Sequence, residues 1–462
     1  MTASRDRVWL LHPLPERTIP PRLELMAQGL VPIGALLEDR GFSPKILRCR
    51  TASEIEEIQE IQEMQEIEPP LLIGVSLHFH QAARAAIGLA RGLERRFPQT
   101  PIVLGGLTAS IFADEILREH PEVDFIIRGD GEVPVLRLSE HLARGTIPLE
   151  AVPNLVFRRG TEVRRSLETW SVDAENVRAL DFTRFSLLRE GAEVMRLRME
   201  GSAETKSFSF SAGRGCGAAC LYCAGGRQAQ KRHALRPGPL FYPVDFVVEQ
   251  LQKAARLGAT QWSTCFDPLP DSDHYPRLFA AIRAAGLELR LVFDCFGLPS
   301  PAFLDAFSRT FAPGSVLNLS PETGSPSLRR RLRTYAYDNH ALFECLARIR
   351  DLGLRGSLYF STGFPFETEQ DLDQTRALIR AVRERFPSLQ VHVGPIELEP
   401  GSPLFEHRRR LGVESPVSTF RALVSSQEAP QPLTYRTRDF STEAIIENHR
   451  ALELEARRGE LR

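Results

Sequence analysis

The chain has 462 residues, enough for two or three domains at roughly 100–200 residues each, with 42% hydrophobic and 25% charged residues, as in ordinary globular proteins. A formal net charge of −1, from 58 Lys and Arg against 59 Asp and Glu, removes the electrostatic case for a nucleic-acid or membrane-surface binder. No run of about 18 apolar residues is present, which predicts no membrane span, and the absence of a basic-then-apolar leader predicts a cytoplasmic protein. Seven cysteines are an odd number for a disulfide framework. Cys49, Cys265, Cys295 and Cys345 stand among apolar residues and read as buried, inert thiols, whereas Cys216, Cys220 and Cys223 stand close together.

In chain order, apolar runs at 8–11, 45–47, 71–77, 102–104 and 125–127 predict buried strands, and amphipathic stretches at 23–39, 81–96 and 110–119 predict helices between them. That alternation predicts an α/β domain over 1–145 with a Rossmann-like parallel sheet. Residues 54–68, EIEEIQEIQEMQEIE, carry Ile or Met every three or four positions and predict a solvated amphipathic helix. Residues 146–204 read as a linker in which 152–157 and 162–166 pair as a hairpin around Arg159-Gly160.

A second alternation runs over 205–405, with strands predicted at 207–211, 261–266, 288–295, 315–319, 357–362 and 390–397. Six strand–helix units are too few for a closed eight-stranded barrel and predict an open, partial one. Active sites in such sheets gather at the carboxyl ends of the strands, where a cysteine loop, Asp267, Asp294, Glu322 and Glu397 fall. Residues 406–462 are charged and predict a helical C-terminal cap.

The sharpest signal is GRGCGAACLYCAGG, residues 213–226, with cysteines spaced Cys-x-x-x-Cys-x-x-Cys directly after the first barrel strand. Thiolates suit soft metals, so zinc and iron–sulfur are the candidates. A structural zinc site needs a fourth ligand, for which His233 is available. Three ligands on one glycine-rich loop suit a cubane with one iron left open to a small molecule.

With this spacing the chain resembles the radical S-adenosylmethionine (SAM) superfamily, over roughly 205–405. The resemblance implies a partial (β/α)6 barrel in which Cys216, Cys220 and Cys223 hold a [4Fe–4S] cluster. The open iron chelates SAM, and one electron cleaves a carbon–sulfur bond. It further implies that Tyr222 packs by the adenine and that Asp267 contacts the methionine amine. The segment Ser320-Pro321-Glu322-Thr323-Gly324-Ser325 resembles the family's ribose- and aminoacid-contacting motif, which places Glu322 and Ser325 on SAM. Gly363–Glu367 matches the loop after the fifth strand, and Pro400-Gly401-Ser402-Pro403-Leu404 the turn closing the sixth. Ala224-Gly225-Gly226 and Pro321 depart from the common pattern.

The N-terminal region, with VLGGLTAS at 103–110 and HPEVDFIIRGDGE at 120–132, resembles the cobalamin-binding module found before many radical SAM enzymes. The resemblance implies that Ser76, Gly105 and Gly106 line the corrin's nucleotide tail and that Glu132, in the Gly129–Glu132 turn, belongs to the same site. The Asp-x-His-x-x-Gly sequence that supplies an axial histidine is absent, which predicts a corrin without a protein imidazole below cobalt. His78 and His80 alternate at a strand end and share a face toward corrin, substrate or metal, or are polar surface histidines.

The resemblance thus implies a cobalamin-dependent methyltransferase acting on an unactivated carbon or phosphorus centre of a small molecule or natural product. An external electron donor such as flavodoxin or ferredoxin would serve it. The alternative is a radical SAM enzyme that cyclises, rearranges or transfers another SAM-derived group, with a vestigial cobalamin domain. A non-enzymatic iron–sulfur or zinc module is a third reading.

Overall fold

The computed structural model describes residues 6–14, 28–49, 54, 69–197, 205–428 and 433–458. They fall into two units. One is Met1–Glu204 with Lys231–Pro237 and Val417–Pro430, the other Thr205–Gln230 with Gly238–Pro416 and Gln431–Arg462.

In the first unit, β1 (Arg7–Pro13), β2 (Ser43–Cys49), β3 (Leu72–Ser76), β4 (Ile102–Gly105) and β5 (Phe125–Ile127) pair in parallel in the order β2-β1-β3-β4-β5. Their near-continuous apolar runs follow from burial on both faces. Val8, Leu11, Leu72, Ile73, Leu104 and Ile126 are all fully buried. The crossovers are α1 (Leu30–Asp39), α2 (Ala83–Arg96), α3 (Leu107–Ile111) and α4 (Ala113–Glu119), and α5 (Glu132–Arg144) follows β5. The helix expected at 110–119 is two helices broken at Phe112, whose buried ring packs 5.5 Å from Phe420 of the helix Phe420–Ser426. The amphipathic helix expected at 54–68 lies outside the described residues, apart from Glu54.

The expected hairpin forms as β6 (Leu155–Arg159) and β7 (Glu162–Arg165), and it extends the same sheet antiparallel, with Phe157 opposite Phe125. Gly160, at φ +63°, makes the turn that an L side chain resists. Residues read from sequence as linker therefore supply the sheet's far edge.

The second unit carries β8 (Thr205–Ser209), β9 (Gln261–Thr264), β10 (Arg290–Cys295), β11 (Val316–Glu322), β12 (Arg355–Thr362) and β13 (Gln390–Pro395), parallel and adjacent in chain order. This is a curled half-barrel. Its helices are α6 (Val244–Arg256), α7 (His274–Ala284), α8 (Pro301–Thr310), α9 (Pro326–Leu332), α10 (Asn339–Asp351), α11 (Glu369–Arg385) and α12 (Thr442–Ala456). They cover one face of the sheet, where Phe293 meets Tyr275 and Phe303 at 4.7 and 5.0 Å. Phe279 in turn meets Phe303 and Phe311 at 5.4 and 4.9 Å. Each such ring pair adds about 0.5–1.5 kcal/mol beyond its burial. The start of α11 is written locally: Thr368 and Asp371 cap it reciprocally. No helix among the described residues is long and apolar enough to cross a membrane.

Candidate functional site

The cysteine loop leaves the carboxyl end of β8. Its first residues, Gly213-Arg214, pair antiparallel with Leu240-Phe241. A Cβ on Gly213 would stand 2.2 Å from the Leu240 carbonyl, so only glycine fits. Beyond it the loop is laced at several points. Leu221 N–H donates to Leu332 O at 2.7 Å, Leu404 N–H to Leu221 O at 2.8 Å, and Ala219 N–H to Thr334 Oγ1 at 2.6 Å. Ala224 N–H donates to Glu399 Oε2 at 2.7 Å.

Cys216, Cys220 and Cys223 are half-buried free thiols. Ala218 N–H points at Cys216 Sγ (3.4 Å) and Gly225 N–H at Cys223 Sγ (3.2 Å). Burial pushes Cys223 up to about 12, helped by the Glu399 carboxylate and by Cys220 and Cys216. Burial raises Cys216 as well. Three thiols on one short loop, two of them with amide donors on their sulfurs, fit a thiolate-bound iron–sulfur cluster. Among the described residues no three His, Cys, Asp or Glu side chains converge on one metal ion, as a mononuclear zinc requires. The thiolates of a cubane bind separate irons.

Tyr222 lies between the second and third cysteines, and its ring packs 5.4 Å from Phe364. Its hydroxyl donates to Glu322 Oε1 at 2.7 Å, and Ser361 Oγ donates to Glu322 Oε2 at 3.0 Å. Glu322 ends β11 beyond a register shift, at φ +64°, a left-handed conformation unusual for a side-chain-bearing residue. Burial pushes its carboxyl up, while Arg333, 3.8 Å away, and the two hydroxyls pull it down.

Arg329 and Arg333, which the sequence reading did not single out, fix this segment. Arg329 is fully buried and donates to Pro321 O (2.9 Å), Tyr337 O (2.6 Å) and Asn339 Oδ1 (2.9 Å), and also to Thr323 O. Arg333 donates to Ser320 O and Phe296 O. Their i, i+4 spacing in RRRLR after a Ser-Pro helix start was the available signal. Ser325 is buried and caps α9 through Leu328 N–H. Asp267 is buried and accepts Phe296 N–H at 2.9 Å, and burial lifts it to about 7. Glu367, 1% exposed, accepts from Thr362 Oγ1 (2.8 Å) and Gly363 N–H (2.7 Å), and burial lifts it to about 7. Glu397 is exposed. Cys49, Cys295 and Cys345 are buried as expected, but Cys265 is exposed, one residue beyond the strand position that pairs with Phe293. It corrects the reading of that thiol as buried and inert, because Cys265 follows Thr264 onto the face of the sheet away from the helices.

In the first unit Ser76 and Gly105 are register partners at the carboxyl ends of β3 and β4. The two glycines differ. A Cβ on Gly106, at φ +104°, would stand 2.7–2.8 Å from the His78 and Leu77 backbone. Among the described residues a Cβ on Gly105 would meet only Ile127 O, at 3.8 Å, which leaves an opening beside it. That opening at a parallel sheet's carboxyl edge fits a bulky nucleotide-like tail. Asp130 is buried, receives Val172 N–H at 3.0 Å and pairs with Arg236. Glu132, also buried, lies in the first turn of α5. His78 and His80 do not continue the strand: β3 ends at Ser76, His78 is an exposed loop residue and His80 opens a 3-10 turn. His233 falls in the segment Lys231–Pro237, which belongs to this unit.

Residues 21–139 match the B12 binding domain and residues 210–379 match the radical SAM superfamily. The chain carries a B12-binding domain and a radical SAM domain. These domains imply a [4Fe–4S] cluster, SAM and cobalamin as its cofactors. The chain is 30% identical over 207 residues to the anaerobic magnesium-protoporphyrin IX monomethyl ester cyclase of Synechocystis, covering 44% of this chain and 38% of the cyclase. It is 23% identical over 353 residues to the tRNA-2-methylthio-N(6)-dimethylallyladenosine synthase of Corynebacterium glutamicum, covering 74% of this chain and 60% of the synthase. The chain thus spans about two fifths to three fifths of these curated relatives. The fold is that of the radical SAM methyltransferase TsrM of Kitasatospora setae (TM-score 0.71, 16% identity, 97% of this chain and 91% of that one). It is also that of the cobalamin-dependent radical SAM enzyme OxsB (0.68, 13%, 98% and 66%).

Proposed function

We propose that this radical SAM protein is a cobalamin-dependent methyltransferase acting on an unactivated centre of a small molecule or natural product. The observation that carries the reading is a fold shared over 97% of the chain with TsrM, a methyltransferase solved with cobalamin and a [4Fe–4S] cluster and, separately, with tryptophan as substrate. When bound, the cluster supplies the electron that cleaves a carbon–sulfur bond of SAM, and cobalamin carries the methyl group.

Cys216, Cys220 and Cys223 would hold the cluster, with the amides of Ala218 and Gly225 donating to two of the sulfurs. Such donors offset thiolate charge and set how readily the site takes an electron. Glu322, oriented by Tyr222 and Ser361, would accept from the SAM ribose or ammonium. Asp267 and Ser325 serve the same subsite by holding the 296–297 loop and the start of α9. Ser76, Gly105, Gly106 and Glu132 would serve the corrin tail. A flavodoxin or ferredoxin would supply electrons.

The 30% identity to the Synechocystis cyclase favours a second reading, radical ring closure without methyl transfer. One experiment separates them. Reconstituted protein is supplied with reductant, cobalamin and methyl-deuterated SAM across a panel of candidate substrates, and the products are followed by mass spectrometry. Deuterated methyl in product, with S-adenosylhomocysteine, supports methylation. Product lighter by two hydrogens with 5′-deoxyadenosine alone supports cyclisation and overturns the first reading.

A further inference from the structure

The face of the half-barrel opposite the helices is polar, and one row across it is unlike the rest. Asp294 and Asn318 are register partners on β10 and β11, and Cys265 follows β9 one residue beyond the Thr264–Phe293 pair, which sets it beside Asp294. The alternation along each strand assigns the row to the helix-free face: Phe293 and Cys295 are buried among helices, and Asp294 between them is only half-buried. Asn318 Nδ2 donates to Asp294 Oδ1 at 2.6 Å, and Cys265 flanks the carboxylate on the other side.

Both neighbours are neutral. No arginine, lysine or histidine pairs with Asp294 among the described residues, and none contributes to its titration, which burial pushes upward. A carboxylate drawn out of water and left without a cation destabilises a fold. Four buried carboxylates are answered differently: Glu322 by Arg333, Asp130 by Arg236, and Asp267 and Glu367 by backbone amides. Among the residues of the six strands that alternate onto this face, Asp294 and Glu322 are the acidic ones, and Glu322 has Arg333 beside it. A carboxylate kept accessible, oriented by two neutral side chains and lacking a counter-ion is arranged to receive one from outside.

We propose that Asp294, oriented by Asn318 and Cys265, is the anchor for a protonated amine or guanidinium group of the substrate. The proposal rests on the enzymatic reading above and adds the chemical class of what the barrel takes. A cationic nitrogen supplies the missing charge and forms a charge-assisted bond to the oxygen that Asn318 leaves available. Such a bond strengthens in a partly desolvated site.

The test uses full-length protein with its cluster reconstituted, and equilibrium dialysis with three matched probe pairs: ethylamine and tryptamine, each against its N-acetyl derivative, and ethylguanidine against ethylurea. The expected result is that at least one cation binds about tenfold or more tightly than its neutral partner, the range for a hydrogen bond to a charged group. Asp294→Asn should abolish that preference, and Asn318→Ala should reduce it. SAM affinity, measured on the same samples, should stay within about twofold of wild type. Equal binding of every pair, or a preference surviving in Asp294→Asn, overturns the proposal. A parallel loss of SAM affinity in Asp294→Asn also overturns it, since the carboxylate would then serve the cofactor. Iron content and SAM cleavage in the wild-type samples report separately on the enzymatic reading.

Discussion

Tyr222 and Glu322 lie 100 positions apart in the chain and share a 2.7 Å hydrogen bond, hydroxyl to carboxylate, that ties the cysteine loop to the end of β11. Because Glu322 sits at φ +64° and is held by Ser361 and Arg333 as well, its carboxylate has one orientation available. Removing it should be felt at SAM. Glu322→Ala is expected to weaken SAM binding by about 1.5–3 kcal/mol, and Tyr222→Phe by about 1 kcal/mol, the ranges for charged and neutral hydrogen bonds. Equilibrium dialysis on reconstituted protein measures both. An unchanged dissociation constant in Glu322→Ala would remove this residue from the SAM subsite.

Replacing Cys216, Cys220 and Cys223 together by alanine is expected to abolish iron binding. Anaerobically reconstituted wild type should carry about four irons per chain, as a [4Fe–4S] cluster requires, and the triple variant none above background. It should also form no 5′-deoxyadenosine. Full iron content in the variant, by colorimetric assay and visible absorbance, would refute the assignment.

The strand positions of both sheets were legible because buried parallel strands are short apolar runs between amphipathic helices, and the cysteine loop was legible because its ligands are local in sequence. The edge hairpin was seen, but not that it joins the first sheet, since pairing of Phe157 with Phe125 is a long-range choice. Arg329 and Arg333 were hidden in an arginine-rich helix that resembles any solvated face. Asp294, Asn318 and Cys265 become a unit only through strand register, which no single strand carries. The same holds for Asp267, whose partner is an amide of the following loop, 29 residues on.

Glu367 should leave a mark on stability against pH. Burial holds its folded-state carboxyl near 7, above the ordinary 4.5, so between these values the folded protein binds more protons than the unfolded chain. Stability therefore falls as pH rises from about 4.5 to about 7 and levels off above, a loss of roughly 3 kcal/mol at 1.36 kcal/mol per unit. Asp267, also raised to about 7, acts in the same direction. Glu367→Gln keeps an acceptor for Thr362 and Gly363 and cannot ionise. Its denaturant midpoint is expected to fall less than that of wild type between pH 5 and pH 8. Parallel curves for the two proteins would show that Glu367 titrates at an ordinary value.

The two glycines after β4 should fail differently when substituted, and the difference tests whether the first unit holds a corrin. At Gly106 an added Cβ meets backbone atoms of Leu77 and His78 within 2.8 Å and requires φ +104°, so Gly106→Ala should destabilise the unit itself. The strain of that conformation alone is of order 1–3 kcal/mol. At Gly105 the nearest described atom to a new Cβ is Ile127 O at 3.8 Å, so the valine side chain is expected to fill the space beside it rather than strain the backbone. Gly105→Val should therefore fold with wild-type thermal stability and iron content, yet take up no cobalamin, read as loss of the corrin absorbance after reconstitution. Wild type loaded with cobalamin should show no nitrogen coupling from below the cobalt in its paramagnetic spectrum, as expected without the axial-histidine motif. Gly105→Val that binds cobalamin normally would remove Gly105 from the tail site, and wild type that stays colourless at the corrin bands when supplied with ample cobalamin would leave the ring-closing radical enzyme as the better account of the protein.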